Sequence, residues 1–402
     1  MKLKGKIIVI LSYMRFDGLA STNLTIAKYL SNENAVYYVD HPYTWRDYFF
    51  SDKANSSFKC RKPFFSWFSK KVLMLEKLRL IIPSPVLPIN WLPEGPLYRF
   101  FLKLNEKMIA RKIRAVLEKD GVTNYIFINS WNFHYPNIGR YLKADLYVYH
   151  CVDPLITPYD KKHGETSEKI LVTESDVVIC TSRALEREKK LLNRHTFFIP
   201  NAADLVLYYQ KNRGKIVKHP AVNTIPYPRV GYIGAVERRL DFDLLYKVAT
   251  KNSDMQFVFV GPVSHDVVPK WFFGQPNVHV IPAIRYEEVP ACIASFDICI
   301  IPFKKDEVSD TIFPLKLFEY LGMGKPVVST DFNLDLQEFT GNVVRFAACD
   351  IGFSDQLKEA LINPQKGLEK RLHIAAQNTW QQRVSQFGDL VCECLNDKKM
   401  SI

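Results

Sequence analysis

Lys316 and Glu319 stand in the segment SDTIFPLKLFEYLGMGKPVVST (residues 309–330), a loop that enters a helix and stops at Gly-Met-Gly-Lys-Pro before a strand. A helix N-terminus presents unpaired backbone N–H groups and the positive end of its dipole, which suits a phosphate. Lys316 in the first turn adds an ammonium for a diphosphate, and Glu319, one turn on along the same face, offers a carboxylate to two ribose hydroxyls. The same spacing also describes a plain i,i+3 surface pair, which contributes only tenths of a kcal/mol. The segment VYHCVDPL (148–155) supplies a second chemistry. It follows a strand and carries His150 and Asp153, and a general base has to reach the proton it removes. Asp153 also fits a turn cap before Pro154, and His150, alternating with apolar neighbours, fits a satisfied core histidine. After the first strand, RFDGLASTN (15–23) combines a turn glycine, Gly18, with Arg15, Asp17 and Asn23 as polar contacts, while Ser21 or Thr22 suits a helix cap.

Such groups need rigid elements beneath them. Short apolar runs alternate with helix-period segments along most of the 402 residues, the pattern of parallel βαβ units. In the first half the expected strands are 6–11, 35–40, 125–129, 146–150, 177–180 and 196–199, with helices at 23–30, 98–118 and 183–192. Residues 205–228 lose the periodicity and gather Lys, Pro and Asn, as a linker does. A second series follows, with strands at 229–234, 256–261, 278–281, 298–302, 326–330 and 343–346 and helices at 241–251, 287–295, 314–322 and 354–361. A long polar helix, 365–395, closes the chain. The length exceeds the roughly 250–300 residues of a single core, so two α/β domains are expected, 1–205 with 385–402 packing back on it, and 206–384. Ligands of open α/β sheets bind beyond the carboxyl ends of the strands, so two such domains facing one another make a cleft for two substrates.

Hydrophobic residues make up 47% and charged residues 24%, a globular balance that excludes disorder. The eight cysteines form no CxxC pair and read as reduced, buried thiols. The N-terminal apolar run is too short for a signal peptide, and no stretch of about 18 apolar residues occurs, so a cytoplasmic chain with peripheral membrane contact is expected. The net charge is +12, and 13 Lys and Arg fall between Lys59 and Arg114, interleaved with Phe64, Phe65, Trp67, Phe68, Trp91, Phe100 and Phe101. That mixture suits an anionic lipid surface or an ordinary solvated face whose aromatics point inward.

PLKLFEYLGMGKPVVST (314–330) resembles the nucleotide-sugar-binding segment of GT-B glycosyltransferases, especially glycosyltransferase family 4 and its polysaccharide-synthesis relatives. RVGYIGAVERRLDFDLL (229–245) is similar to the first strand and glycine turn of their donor domain, FVFVGP (257–262) to its second strand, and IPNAAD (199–204) to the I-P-N-G-V-D turn that ends the first domain. With DVVICTS (176–182) the resemblance covers residues 140–385, and the first 140 match loosely, as an acceptor domain does. The resemblance implies the GT-B fold, two facing Rossmann-like domains with a C-terminal helix crossing back to the first, and Trp380 and Arg383 resemble residues of that crossing. It implies that Glu319 binds the ribose, that Lys316 with Arg238 or Arg239 neutralises the diphosphate, and that Gly234 lets the backbone approach it. No metal or other cofactor is then expected, because side-chain cations and the helix dipole stabilise the leaving diphosphate. Asp241-Phe-Asp243 opens a helix and serves its dipole.

The E-x7-E pair of family 4 is broken: the position of its first Glu is Thr311, with Asp310 the nearest carboxylate, so retention of configuration does not follow. VYHCVDPL resembles the segment of the inverting glucuronosyltransferases of exopolysaccharide assembly in which an Asp is the general base, the position of Asp153. The expected activity is inverting hexosyl transfer from a nucleoside diphosphate sugar, UDP first, to a lipid-linked or growing surface polysaccharide, exopolysaccharide or lipopolysaccharide, at the inner face of the cell membrane. The alternatives are a retaining family 4 transferase, a nucleotide-sugar 2-epimerase, and a basic nucleic-acid-binding protein, for which charge alone speaks and no binding motif does.

Overall fold

The computed structural model describes residues 2–18, 21–52, 56–66, 69–205 and 216–400. Trp67, Phe68 and residues 206–215 of the expected linker lie outside the described residues. The chain divides into two units, Met1–Pro200 with Arg383–Ile402, and Asn201–Gln382.

The first unit is built on eight strands: β1 (Ile7–Ser12), β2 (Ala35–Val39), β3 (Leu73–Leu75), β4 (Leu78–Ile81), β5 (Ile126–Ser130), β6 (Leu146–Cys151), β7 (Val177–Cys180) and β8 (Thr196–Phe198). They lie in the order β3-β4-β2-β1-β5-β6-β7-β8, all parallel except the β3–β4 pair. Runs such as IIVILS and LYVYHC are apolar at nearly every position because helices cover both faces of a parallel sheet. Val9, Leu11, Tyr37, Phe127 and Tyr149 share one core with Leu102, Ile109 and Ile113 of the helix Pro96–Lys119. Ser21 caps the helix Thr22–Leu30, its side chain accepting from the Leu24 N–H.

The second unit has six parallel strands: β9 (Arg229–Ile233), β10 (Gln256–Val260), β11 (Val278–Ile281), β12 (Ile298–Ile301), β13 (Val327–Thr330) and β14 (Val344–Ala347), in the order β11-β10-β9-β12-β13-β14. The strand order reverses beside β1 in the first sheet and beside β9 in the second. At such a switch point the connections leave in opposite directions and a crevice opens at the carboxyl ends of the strands.

Three expectations change. The basic stretch after Lys59 contains β3 and β4, which extend the sheet beyond β2. The helix Pro158–Glu174 was not anticipated, since PYDKKHGETSEKILVTE carries few apolar residues. The single closing helix is two, Leu368–Gln377 and Trp380–Met400, separated at Asn378, whose side chain turns back to the Ile374 carbonyl.

Candidate functional site

In the second unit the switch point gathers four of the expected residues. Gly234 directly follows β9 and Gly261 directly follows β10, with φ of 140° and 150°. The Gly234 N–H donates to the Val260 carbonyl, and a Cβ on Gly261 would lie 2.2 Å from the Gly234 carbonyl oxygen. Only glycine at both positions lets the two strand ends approach so closely. A Cβ on Gly234 would meet the Lys316 ammonium at 2.5 Å. That ammonium lies 3.8 Å from the Tyr232 ring centre and 5.2 Å from that of Phe303. Burial, with Arg239 nearby, pushes the Lys316 pKa well down.

The helix that begins at Lys316 is short, Lys316–Gly322, and its place is fixed by Tyr320, whose hydroxyl accepts from the Ile233 N–H at 2.9 Å. This sets Glu319 beside the same strand ends, buried, with one carboxylate oxygen accepting from the Tyr286 hydroxyl at 3.2 Å. Arg239 pairs with Glu237 and lies 5.9 Å from the Phe303 ring, whereas Arg238 is exposed. Asp310 and Thr311 belong to a single turn, Ser309–Thr311, in which the Thr311 hydroxyl donates to the Val308 carbonyl. Asn201 and Asn333 anchor the following residues through the carbonyls of Phe313 and Ile312. The arrangement offers a backbone approach, two nearby cations and a buried carboxylate.

Residues 227–363 match the family described as glycosyl transferases group 1. The whole chain superposes on sucrose-phosphate synthase of Thermosynechococcus elongatus with a TM-score of 0.68 at 15% identity, covering 98% of this chain and 100% of that one. A UDP-forming trehalose-phosphate synthase of Burkholderia vietnamiensis gives 0.68 at 11% identity, with 96% and 99% covered. Anabaena Alr3699/HepE in complex with UDP gives 0.62 at 14%, with 97% and 99% covered. The chain has the GT-B fold. A Bacillus subtilis (strain 168) protein, TuaH, provisionally named a teichuronic acid biosynthesis glycosyltransferase, is 28% identical over 217 residues, 49% of this chain and 53% of TuaH. The match thus spans about half the length of that relative.

Within the matched residues 227–363, Asp241 caps the helix Phe242–Lys251 by accepting from the Leu244 N–H, and Asp243 sits in its first turn. Among the described residues no group of three or more His, Cys, Asp or Glu is placed to hold a metal ion.

The first unit of the GT-B chain disposes its expected residues differently. Asp153 lies two residues beyond β6, half-buried, in a bend braced by Thr181, which bonds the carbonyls of Cys151 and Val152. His150 is buried, 3.0 Å from the Ser130 hydroxyl through Nδ1 and edge-on to Phe387. Burial pushes its pKa down to about 4, so it is a neutral core histidine. Asn23 is also buried and donates to the Ser130 carbonyl at 2.8 Å, tying the first helix to β5. Asp17 takes a two-pronged bond from Arg61, at 2.6 and 2.7 Å, while the Arg61 Nε bonds the fully buried Asp40 at 2.6 Å. The Arg61 bond holds the Asp17 carboxyl down to about 2. Arg61 is therefore a clamp between the first two strand ends, and Asp17 and Asn23 brace the loop instead of presenting free polar groups. Arg15 lies with its guanidinium 4.0 Å from the Tyr43 ring. Tyr286, beside Glu319, and Arg61 were not foreseen: the first lies 33 residues from its partner along the chain, and the second was one of many basic residues.

Proposed function

We propose that this chain transfers a sugar from a UDP-sugar to a lipid-linked saccharide of a surface polysaccharide, with inversion and without a metal. The observation that carries the reading is the convergence of Gly234, Lys316 and Glu319 at the switch point of a group 1 glycosyltransferase domain. HepE, of the same fold, has been solved with UDP and with UDP-glucose, and TuaH bears a name from polysaccharide synthesis. On this reading Glu319 accepts the ribose hydroxyls and Gly234 admits the diphosphate. Lys316 and Arg239, with exposed Arg238 in reserve, neutralise the charge that develops as the bond from the anomeric carbon to the diphosphate oxygen breaks. Thr311 cannot supply the carboxylate of the family 4 pair, and its hydroxyl is spent on its own turn. Asp153 then takes the proton of the acceptor hydroxyl as the new bond forms.

Asp153→Asn is expected to lower kcat by about 10²–10⁴-fold, the usual contribution of a general base, with UDP affinity unchanged. Release of UDP from a UDP-sugar in the presence of acceptor, alongside UDP calorimetry, checks this; near wild-type turnover would remove Asp153 from the chemistry.

Among the described residues no helix is long and apolar enough to cross a membrane. The helix Pro96–Lys119 supports contact with a membrane surface: Leu97, Phe100 and Leu104 are exposed along one stripe, and Lys103, Lys107, Arg111 and Arg114 along the next. The basic stretch is not uniform, since Arg61 and Lys112 are buried, Lys112 donating to the carbonyls of Phe64 and Ser66. Vesicles of phosphatidylglycerol and phosphatidylcholine are expected to co-sediment the protein at low salt, and Leu97→Ser with Phe100→Ser to release most of it. Sedimentation equal in both proteins would contradict this face.

A further inference from the structure

A cavity of about 950 Å³ lies within the first unit, and no role given so far uses it. The helix Pro96–Lys119 lends Tyr98, Leu102 and Asn105 to its wall, and Trp45, Phe49, Phe50 and Trp91 line it further. Three of these aromatics are open to solvent, Phe49 at 63%, Phe50 at 84% and Trp91 at 76%. Large exposed aromatics continuous with a cavity mark a site that something apolar covers. The same helix turns Leu97 and Phe100 outward, so one wall of the cavity and the stripe proposed to meet the membrane are parts of one element.

The polar groups of the wall are mostly spent or neutral. Asn105 donates to the Leu87 carbonyl and accepts from its N–H, and Asp47 closes a capping box with Thr44. His41 and His134 also line the cavity, and burial pushes both pKa values down, His134 to about 4. Two charges remain, Arg15 and Arg46, and neither forms an ion pair among the described residues. A largely apolar wall, an exposed aromatic mouth and two cations outside any ion pair among the described residues complement a molecule that is hydrocarbon along its length and anionic at one end. A sugar ring alone would leave Phe49, Phe50 and Trp91 facing water.

We propose that this cavity binds the phosphate-bearing end of an isoprenoid chain, with the hydrocarbon against Tyr98, Leu102 and Trp45, the phosphate toward Arg15 and Arg46, and entry over Phe49, Phe50 and Trp91. This deepens the reading of the chain as a transferase with a lipid-linked acceptor and rests on it. It names the part of the acceptor that the first unit grips.

The probe is farnesyl phosphate, titrated calorimetrically below its aggregation concentration into the full chain, with farnesol and inorganic phosphate in parallel. Saturable 1:1 binding is expected, at least tenfold tighter than either fragment. Arg15→Gln with Arg46→Gln should weaken farnesyl phosphate at least tenfold and leave farnesol unchanged. Phe50→Ser with Trp91→Ala, both at exposed positions, should weaken farnesyl phosphate and farnesol alike. Absence of saturable binding, binding of inorganic phosphate as tight as that of the probe, or variants that bind like wild type would overturn the proposal. UDP titrated into the same samples separates the two readings. Intact UDP binding with a failed probe removes the lipid cavity alone, and loss of UDP binding in the wild type removes the donor reading.

Discussion

Replacing Glu319 by alanine is expected to weaken UDP binding by about two to three orders of magnitude. Hydrogen bonds to a charged group are worth about 1.5–3 kcal/mol each, and the reading gives the carboxylate two ribose hydroxyls to hold. Glu319 is buried and oriented by the Tyr286 hydroxyl, so its geometry is set before the nucleotide arrives. Tyr286→Phe removes the orienting bond but leaves the carboxylate. It is expected to cost about fivefold to tenfold, one modest hydrogen bond. Calorimetric titration of both variants checks the pair of values, and a Glu319→Ala loss below tenfold would place the ribose elsewhere.

Lys316→Met is expected to act in opposite directions on the free and the bound protein. Without a ligand the ammonium of the half-buried Lys316 lies against Tyr232 and Phe303, and desolvation pushes its pKa well below the usual lysine range. The unfolded chain therefore binds more protons at this residue than the folded one, so its contribution makes stability fall as pH drops below the ordinary lysine pKa, until the folded pKa is reached. Removing the amine relieves that cost, and the free variant should melt higher than wild type, by a few degrees at about 2–4 °C per kcal/mol. A diphosphate reverses the balance. Its negative charge favours the ammonium, raises the lysine pKa and draws in a proton, so UDP should bind wild type more tightly as pH falls from 9 towards 7.

The variant should lose about 10²–10³-fold in turnover, most of its stabilisation by UDP and all of the proton uptake. Thermal melts with and without UDP, and calorimetry in buffers of different ionisation enthalpy, read these effects separately. A wild-type complex that takes up no proton, together with a variant that melts lower than wild type, would mean that Lys316 only supports the fold.

The two-sheet architecture was legible because parallel strands buried on both faces write themselves as apolar runs, and β1, β6, β9 and β12 fall where IIVILS, LYVYHC, RVGYI and ICII predict them. The closeness of Lys316, Glu319 and Gly234 was legible for a related reason: Lys316 and Glu319 share one helix, and Gly234 follows a strand directly, so their placement is set by local elements. What escaped was non-local or weakly patterned. Tyr286 reaches Glu319 from a separate loop, and the Asp17–Arg61–Asp40 clamp joins three distant segments. Asn23 read as a ligand contact because a buried amide and an exposed one look alike in sequence, and only the position of the Ser130 carbonyl distinguishes them. The aromatic cavity draws its wall from six stretches between Tyr13 and Tyr159, so no single motif could announce it. The break near Asn378 went unread because the apolar spacing continues on both sides.

Calorimetric titration of the wild-type chain with UDP and with GDP, in the presence of a metal chelator, tests the central claim most directly. Micromolar UDP binding that survives the chelator, with GDP at least tenfold weaker, is the predicted result; absence of binding by either nucleotide would contradict a nucleotide-sugar site at Gly234, Lys316 and Glu319.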